Sequence, residues 1–134
     1  MKIKKGFQQM VDEAKARIAT LSLEDAKKRL GKEGTVFVDL RDVRELEREG
    51  QIAGAFHCPR GMLEFWLDPA SPYHKPIFAE GKEFVFFCNA AWRSALAADT
   101  AQQMGLENVY EMDGGFTGWK KAGFPVEARE KKKA

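Results

Sequence analysis

One stretch of the chain decides the fold, and it reads Phe84-Val85-Phe86-Phe87-Cys88-Asn89-Ala90-Ala91-Trp92-Arg93-Ser94-Ala95-Leu96-Ala97-Ala98. The four apolar residues that open it are typical of a strand buried on both faces of a sheet. The alanine-rich residues that close it are typical of a helix. We therefore predict a strand, a short loop and a helix in that order, with Cys88 at the carboxyl end of the strand.

The loop that begins at Cys88 has the features of an anion-binding site. Backbone N–H groups at a helix N-terminus carry partial positive charge and bind anions. The same groups favour the thiolate form of a cysteine placed among them. We expect Cys88 to be a nucleophile, and the alternative is a buried structural cysteine. Arg93 follows five residues later, either as part of the site or in an ordinary ion pair at a helix start.

Length and composition narrow the class of protein. The 134 residues suffice for one domain with its own core, and a formal net charge of +2 is too small to indicate nucleic-acid binding. No stretch approaches the roughly 18 consecutive apolar residues of a membrane span. We expect a cytoplasmic protein with Cys58 and Cys88 as free thiols. His57 and His74 show no ligand spacing with them, so no metal site is expected.

The rest of the chain alternates between helix and strand patterns. An amphipathic helix is predicted over residues 7–18, where it covers the sheet or forms a dimer contact, and Ser22 with Asp25 predicts the start of a helix over 23–30. Strands are predicted at 35–40, 55–58, 83–87 and 108–112. Further helices are predicted at 41–49, 61–66 and 93–104, with a last short helix that ends at Trp119, and a loop is predicted at 68–76. Apolar strands alternating with helices indicate an α/β fold with a parallel sheet between helix layers, which binds ligands at the carboxyl ends of its strands.

The size of the loop bears on the chemistry. Four residues separate Cys88 from Arg93, and a thiolate in a ring of N–H donors can attack either sulfur or phosphorus. A phosphate with three equatorial oxygens needs a wider loop than the terminal sulfur of thiosulfate or a persulfide. The shorter loop favours sulfur transfer over a cysteine phosphatase or arsenate reductase.

At this point the chain resembles the rhodanese family of sulfurtransferases, over roughly residues 21–126. Three stretches besides the Cys88 loop carry the resemblance. Val38-Asp39-Leu40-Arg41 is similar to the family's Asp-x-Arg at the end of a strand, and Gly50-Gln51-Ile52-Ala53-Gly54-Ala55 is similar to its Gly-His-Ile-x-Gly-Ala segment. The closing Gly-Gly-x-x-x-Trp and Gly-x-Pro-Val of the family are similar to Gly114-Gly115-Phe116 with Trp119 and to Gly123-Phe124-Pro125-Val126.

The resemblance implies a fold and an activity. The fold is a central, mostly parallel five-stranded sheet flanked by helices on both faces, in a domain of residues 21–128 between a helical extension (1–20) and a charged tail (129–134). The activity is transfer of a sulfane sulfur from thiosulfate or a persulfide, through a Cys88 persulfide, to cyanide, a thiol or a sulfur-carrier protein. No cofactor is implied, and the chain is a monomer or homodimer. A sulfur-carrying or regulatory module without turnover is the alternative.

The resemblance also assigns residues to roles. Cys88 and Arg93 are the catalytic pair, and the substrate-binding positions are the rest of the loop and the helix start, namely Asn89, Ala90, Ala91, Trp92 and Ser94. Asp39 and Arg41 are expected to support the site as an ion pair that anchors the loop. Cys58 is expected to be a core or rim thiol, with a role as resolving cysteine as the alternative.

The loop interior departs from the family pattern. It lacks the usual glycine and the frequent basic residue, so an alanine must adopt the backbone angle that the loop requires, at a cost of about 1 kcal/mol if φ is positive. The missing positive charge weakens attraction for thiosulfate. Trp92 adds an apolar surface that favours a bulkier or protein-borne partner.

Overall fold

The computed structural model describes residues 1–130 of the chain, and alternating helices and strands account for most of them. The strands are β1 (Ala19–Leu21), β2 (Thr35–Asp39), β3 (Phe56–His57), β4 (Glu83–Phe87) and β5 (Val109–Met112). The helices are α1 (Phe7–Arg17), α2 (Leu23–Arg29), α3 (Val43–Glu49), α4 (Leu63–Leu67), α5 (Trp92–Met104) and α6 (Gly115–Lys121), with 3₁₀ turns at Arg60–Met62 and Pro76–Ala79.

The five strands form one sheet in the order β1-β5-β4-β2-β3, and every strand pair in it is parallel. The predicted α/β fold with a five-stranded sheet is therefore confirmed. β4 lies at the centre, paired with β2 on one side and β5 on the other. Cys88 follows β4 directly, so it lies at the carboxyl edge in the middle of the sheet, where parallel sheets bind ligands.

The side chains of β4 alternate between two cores, one on each face of the sheet. Phe84 and Phe86 pack with buried residues of α4 and α5, whereas Val85 and Phe87 pack on the opposite face with residues of α2 and α6. Because both faces are covered, the strand is apolar throughout, which is why its sequence is a continuous run rather than an alternating one.

The N-terminal helix packs against α5. Val11 and Ala14 are buried together with Ala95 of α5, whereas Phe7 and Met10 remain largely exposed. The prediction that this helix extends to Ile18 is wrong, because Ile18 has an extended backbone and leads directly into β1. The sequence patterns did not identify β1, a strand of three residues at the edge of the sheet beside β5.

Other segments agree with the predicted ones to within a few residues. The Ser22 hydroxyl accepts the Asp25 N–H at 3.1 Å and begins α2, as predicted. The loop predicted at 68–76 runs into the unpredicted 3₁₀ turn Pro76–Ala79. The division into an extension (1–20) and a domain (21–128) stays a prediction, and most of the predicted tail (129–134) lies outside the described residues. None of the helices within residues 1–130 has the length and apolarity needed to span a bilayer.

Candidate active site

The loop after β4 turns sharply to place α5. Ala91, the last residue before the helix, has φ 74° and ψ 10°, a left-handed conformation that is uncommon for a residue with a side chain. This is the alanine at the position where the family pattern has glycine, so the predicted backbone requirement is present. The left-handed residue directs the Ala91 N–H back toward the start of the loop.

The Cys88 sulfur lies inside this turn. The Ala91 backbone N–H donates a hydrogen bond to Sγ at 3.2 Å, and the Ser94 hydroxyl oxygen lies 3.4 Å from Sγ. Cys88 is 1% exposed, yet it belongs to none of the three clusters of the hydrophobic core. The sulfur therefore has polar neighbours from its own loop and helix instead of the apolar neighbours of a core cysteine.

Arg93 is held by Glu45, a residue of α3. Its Nη1 and Nη2 donate to the two carboxylate oxygens of Glu45 at 2.7 and 3.0 Å. The Asn89 side-chain amide also donates to Glu45, at 2.8 Å, so one carboxylate contacts both ends of the Cys88 loop. This pair corresponds to the ordinary ion pair that was the alternative for Arg93, although it stands beside the sulfur.

Each member of this pair stabilises the ionised form of the other. Hydrogen bonding to Arg93 is the main cause that holds the pKa of Glu45 below its usual value. Hydrogen bonding to Glu45 is likewise the main cause that raises the pKa of Arg93, and Cys88 acts in the same direction. Both groups are therefore ionised at neutral pH. The pattern of residues 41–49 predicts a helix but carries no signal that singles out Glu45.

Asp39 and Arg41 form the predicted ion pair, and it is buried. Arg41 Nη2 donates to Asp39 at 2.8 Å and to the Gly50 carbonyl at 2.9 Å, and its guanidinium lies 4.0 Å from the centre of the Phe116 ring. Arg41 Nη1 lies 3.5 Å from the Asn89 side-chain oxygen. The pair thus contacts the loop through Asn89 and does not contact the sulfur.

The turn before α6 contacts the loop from the other side. The Phe116 N–H donates to the Cys88 carbonyl at 2.7 Å, and the Thr117 N–H donates to the Asn89 carbonyl at 3.2 Å. Gly115 makes this approach possible, because a Cβ there would lie 2.5 Å from the Cys88 carbonyl oxygen and closer still to that of Asn89. The Gly-Gly motif that supported the resemblance is therefore part of the site.

Two of the predicted loop positions face outward. Ala90 is exposed and Trp92 is 52% exposed, so both side chains face solvent. The Trp92 ring lies 4.9 Å from that of Phe7, centre to centre. The N-terminal helix therefore contributes to an apolar rim beside the loop.

The remaining candidate residues lie elsewhere. Cys58 is a free thiol like Cys88, but it is buried in the core on the α5 face, where desolvation raises its pKa to about 12. His57 Nε2 donates to the Arg41 carbonyl at 2.6 Å. Among residues 1–130, no three His, Cys, Asp or Glu side chains converge in a way that could hold a metal ion.

The arrangement can support nucleophilic chemistry at Cys88. The sulfur accepts a hydrogen bond from the Ala91 N–H, and the Ser94 hydroxyl lies within reach to donate to a negatively charged sulfur. A guanidinium stands at the helix start beside it. No general base is needed when the nucleophile is already a thiolate.

Comparisons with known proteins agree with this geometry. Thiosulfate sulfurtransferase GlpE of Actinobacillus pleuropneumoniae is 28% identical over 95 residues, which cover 71% of this chain and 80% of that protein. The uncharacterized protein slr1261 of Synechocystis sp. is 31% identical over 94 residues, 70% of this chain, and the match spans about half (48%) of that protein.

Two solved structures have the same fold and also align in sequence. A protein of unknown function from Rhodopseudomonas palustris, described as a possible tyrosine phosphatase, is 53% identical with a TM-score of 0.92, covering 95% of this chain and 98% of that one. The polysulfide-sulfur transferase homodimer of Wolinella succinogenes is 32% identical with a TM-score of 0.69, covering 92% of this chain and 88% of that one.

The family model that matches is that of the rhodanese-like domain, and it covers residues 22–122. This range runs from the cap of α2 to the end of α6, so it contains the whole sheet except β1 together with the Cys88 loop and the Asp39–Arg41 pair. Fold, motif order and family model agree, and the chain belongs to the rhodanese-like domain family.

Proposed function

We propose that this chain is a sulfurtransferase that carries a sulfane sulfur on Cys88, taken from thiosulfate, a polysulfide or a persulfide and passed to a thiophilic acceptor. The observation that carries the proposal is the Ala91 N–H hydrogen bond to the Cys88 sulfur at 3.2 Å, inside a loop with four residues between Cys88 and Arg93. The relatives whose names state thiosulfate or polysulfide sulfur transfer support this reaction class.

The first step is displacement at sulfur. The Cys88 thiolate attacks the outer sulfur of thiosulfate, a bond forms between the two sulfurs, and the bond from the outer sulfur to the sulfonate sulfur breaks. Sulfite leaves with the electron pair of that bond, and Cys88 becomes a persulfide anion. Thiolate and thiosulfate are converted to persulfide anion and sulfite without gain or loss of a proton, so the protein has no proton to move.

The second step returns the enzyme to its starting state. A cyanide or thiolate acceptor attacks the terminal sulfur of the persulfide, and the Cys88 thiolate leaves with the bonding electrons. In our proposal the Ala91 N–H and the Ser94 hydroxyl stabilise the negative sulfur in both forms, since both lie within reach of Sγ. Arg93 stands at the helix start, where its positive charge lies beside the reacting sulfur.

The direct test is detection of the persulfide. Wild-type protein is incubated with thiosulfate or with polysulfide, and the mass of the Cys88 peptide is measured before and after addition of cyanide. We expect a mass increase of one sulfur atom that cyanide removes as thiocyanate. Cys88→Ser is expected to abolish it and Cys58→Ser to preserve it, since Cys58 is buried in the core.

A sulfur-carrying or regulatory module is the second candidate. It is favoured by the low exposure of Cys88 and by the exposed aromatic pair Trp92 and Phe7 beside the loop. A persulfide that forms but turns over only with a protein acceptor would support this function. Hydrolysis of an aryl phosphate that depends on Cys88, with no persulfide from any donor, would instead support a phosphatase.

A further inference from the structure

The cation beside Cys88 is paired with a carboxylate of another helix. Arg93 is the only charged side chain between Cys88 and Ser94. Both of its terminal nitrogens donate to Glu45. These are the nitrogens that would otherwise form a bidentate pair with a sulfonate or sulfite group. An incoming oxyanion therefore competes with Glu45 for these two nitrogens.

The second guanidinium near the loop is also engaged. Arg41 is buried, donates to Asp39 and the Gly50 carbonyl, and its Nη1 lies 3.6 Å from Glu49. Both guanidinium groups at the loop are thus paired with carboxylates, Arg41 with Asp39 and Arg93 with Glu45.

Glu45 is fixed in this position by more than Arg93. The Asn89 side-chain amide donates to the same carboxylate at 2.8 Å, and the Asn89 oxygen faces the buried Arg41. The lowered pKa of Glu45 keeps it charged near neutral pH. Glu45 is therefore a permanent negative charge held at the loop by contacts to two loop residues.

We propose that Glu45 is a specificity-determining residue, whose carboxylate engages Arg93 and thereby disfavours thiosulfate relative to persulfides of small neutral thiols. The inference rests on the proposed sulfurtransferase function and names its donor class. Thiosulfate carries a charged sulfonate that competes with Glu45 for Arg93. A persulfide of a neutral thiol carries its charge on the terminal sulfur alone and has no oxyanion that needs the guanidinium.

The test compares two donors in three proteins. The value of kcat/KM is measured for thiosulfate and for the persulfide of 2-mercaptoethanol, with cyanide as acceptor, in wild type, Glu45→Gln and Glu47→Gln. We expect Glu45→Gln to raise the ratio of thiosulfate to persulfide kcat/KM about tenfold, mainly through a lower KM for thiosulfate, since a neutral amide competes less for Arg93. Glu47→Gln removes the same charge from the same helix without a contact to Arg93, and its ratio is expected to equal that of wild type.

Binding of sulfite gives a readout that does not require turnover. Calorimetric titration is expected to show tighter sulfite binding to Glu45→Gln than to wild type or Glu47→Gln. If Glu45→Gln fails to fold, Glu45→Asp keeps the charge but withdraws it from Arg93, and a smaller increase in both readouts is expected.

The outcomes separate this inference from the proposed function. Equal loss of activity with both donors in Glu45→Gln, and unchanged sulfite binding, would mean that Glu45 only positions the loop, and would overturn the inference while sulfur transfer stands. If wild type transfers sulfur from neither donor, the proposed function is wrong. Sulfite binding alone then decides whether Glu45 excludes oxyanions from this site.

Discussion

The Ala91 backbone N–H lies 3.2 Å from the Cys88 sulfur because Ala91 adopts a left-handed conformation with φ 74°. A residue with a Cβ adopts this conformation at a cost of about 1–2 kcal/mol, whereas glycine adopts it freely. The hydrogen bond that defines the site is therefore made at the expense of backbone strain. Strain of this kind is found at functional sites, where the surrounding structure maintains it.

The strain at Ala91 predicts an unusual effect of glycine. Glycine normally destabilises a folded protein because it increases the entropy of the unfolded chain, by about 0.5–1 kcal/mol. Ala91→Gly has this same entropic cost, but it relieves the strain of the left-handed backbone. It also removes a small buried methyl group. We expect the folded state of Ala91→Gly to be about 1 kcal/mol more stable than that of Ala90→Gly, as measured by urea unfolding.

Ala90 is a suitable control for this measurement. It lies in the same loop, is exposed, and has no positive φ. Glycine there increases the unfolded-state entropy by the same amount without relieving strain. Equal stability of the two variants would show that the backbone at Ala91 is not strained.

A second prediction concerns the contact between the loop and the start of α6. Gly115→Ala places a methyl group against the Cys88 and Asn89 carbonyl oxygens. Since both are backbone atoms, the turn has to move and the hydrogen bond from the Phe116 N–H to the Cys88 carbonyl is lost. We expect a loss of about 2 kcal/mol or more in the free energy of unfolding, together with reduced persulfide formation at Cys88.

Gly114→Ala is the matched control for that variant. Gly114 also has a positive φ, but the nearest atom to an added Cβ is 3.5 Å away, on the Leu23 side chain. The two variants therefore share the backbone strain and differ in the clash with the loop. A Gly115→Ala protein as stable and as active as Gly114→Ala would refute the proposed role of this close approach.

The sequence predicted the parts of the molecule whose signals are local. The apolar run of β4, the loop and the alanines of α5 follow one another in the chain, and the structure begins α5 within one residue of the predicted position. β1 was missed because its three residues become a strand only by pairing with β5, which lies about 90 residues later in the chain.

The candidate site was predictable to the same extent. Cys88, Arg93 and the Asp39–Arg41 pair carry motif signals, since each stands at a fixed spacing beside a strand end. Glu45 carries none, because it lies in a charged segment and contacts Arg93 across 48 residues of sequence. A long-range ion pair of this kind depends on how helices pack and leaves no periodicity in the chain.

Glu111 is another charged residue whose position could not be read from the sequence, and its burial predicts a pH dependence of stability. It lies in β5 with both carboxylate oxygens buried and without a hydrogen-bond partner, and the Lys15 ammonium is 3.9 Å away. Desolvation raises the pKa of Glu111 from its ordinary value of 4.5 to about 7, Lys15 lowers it and Asp113 raises it further. The folded state therefore binds a proton that the unfolded state has released between these two values.

Because the folded state holds the extra proton, Glu111 makes the protein less stable as the pH rises from about 4.5 to about 7. The free energy of unfolding is expected to fall by up to about 3 kcal/mol over this pH range and to change little above it. The carboxylates with lowered pKa values, such as Glu45 and Asp99, act in the opposite sense and at lower pH. Urea unfolding of wild type and Glu111→Gln across this range is expected to give a stability difference that changes in favour of the glutamine variant as the pH rises. Glu107→Gln, at an exposed position, is the control, and its stability is expected to depend on pH as that of wild type does. A constant difference between wild type and Glu111→Gln would show that the Glu111 carboxyl group ionises at the same pH in the folded and unfolded states.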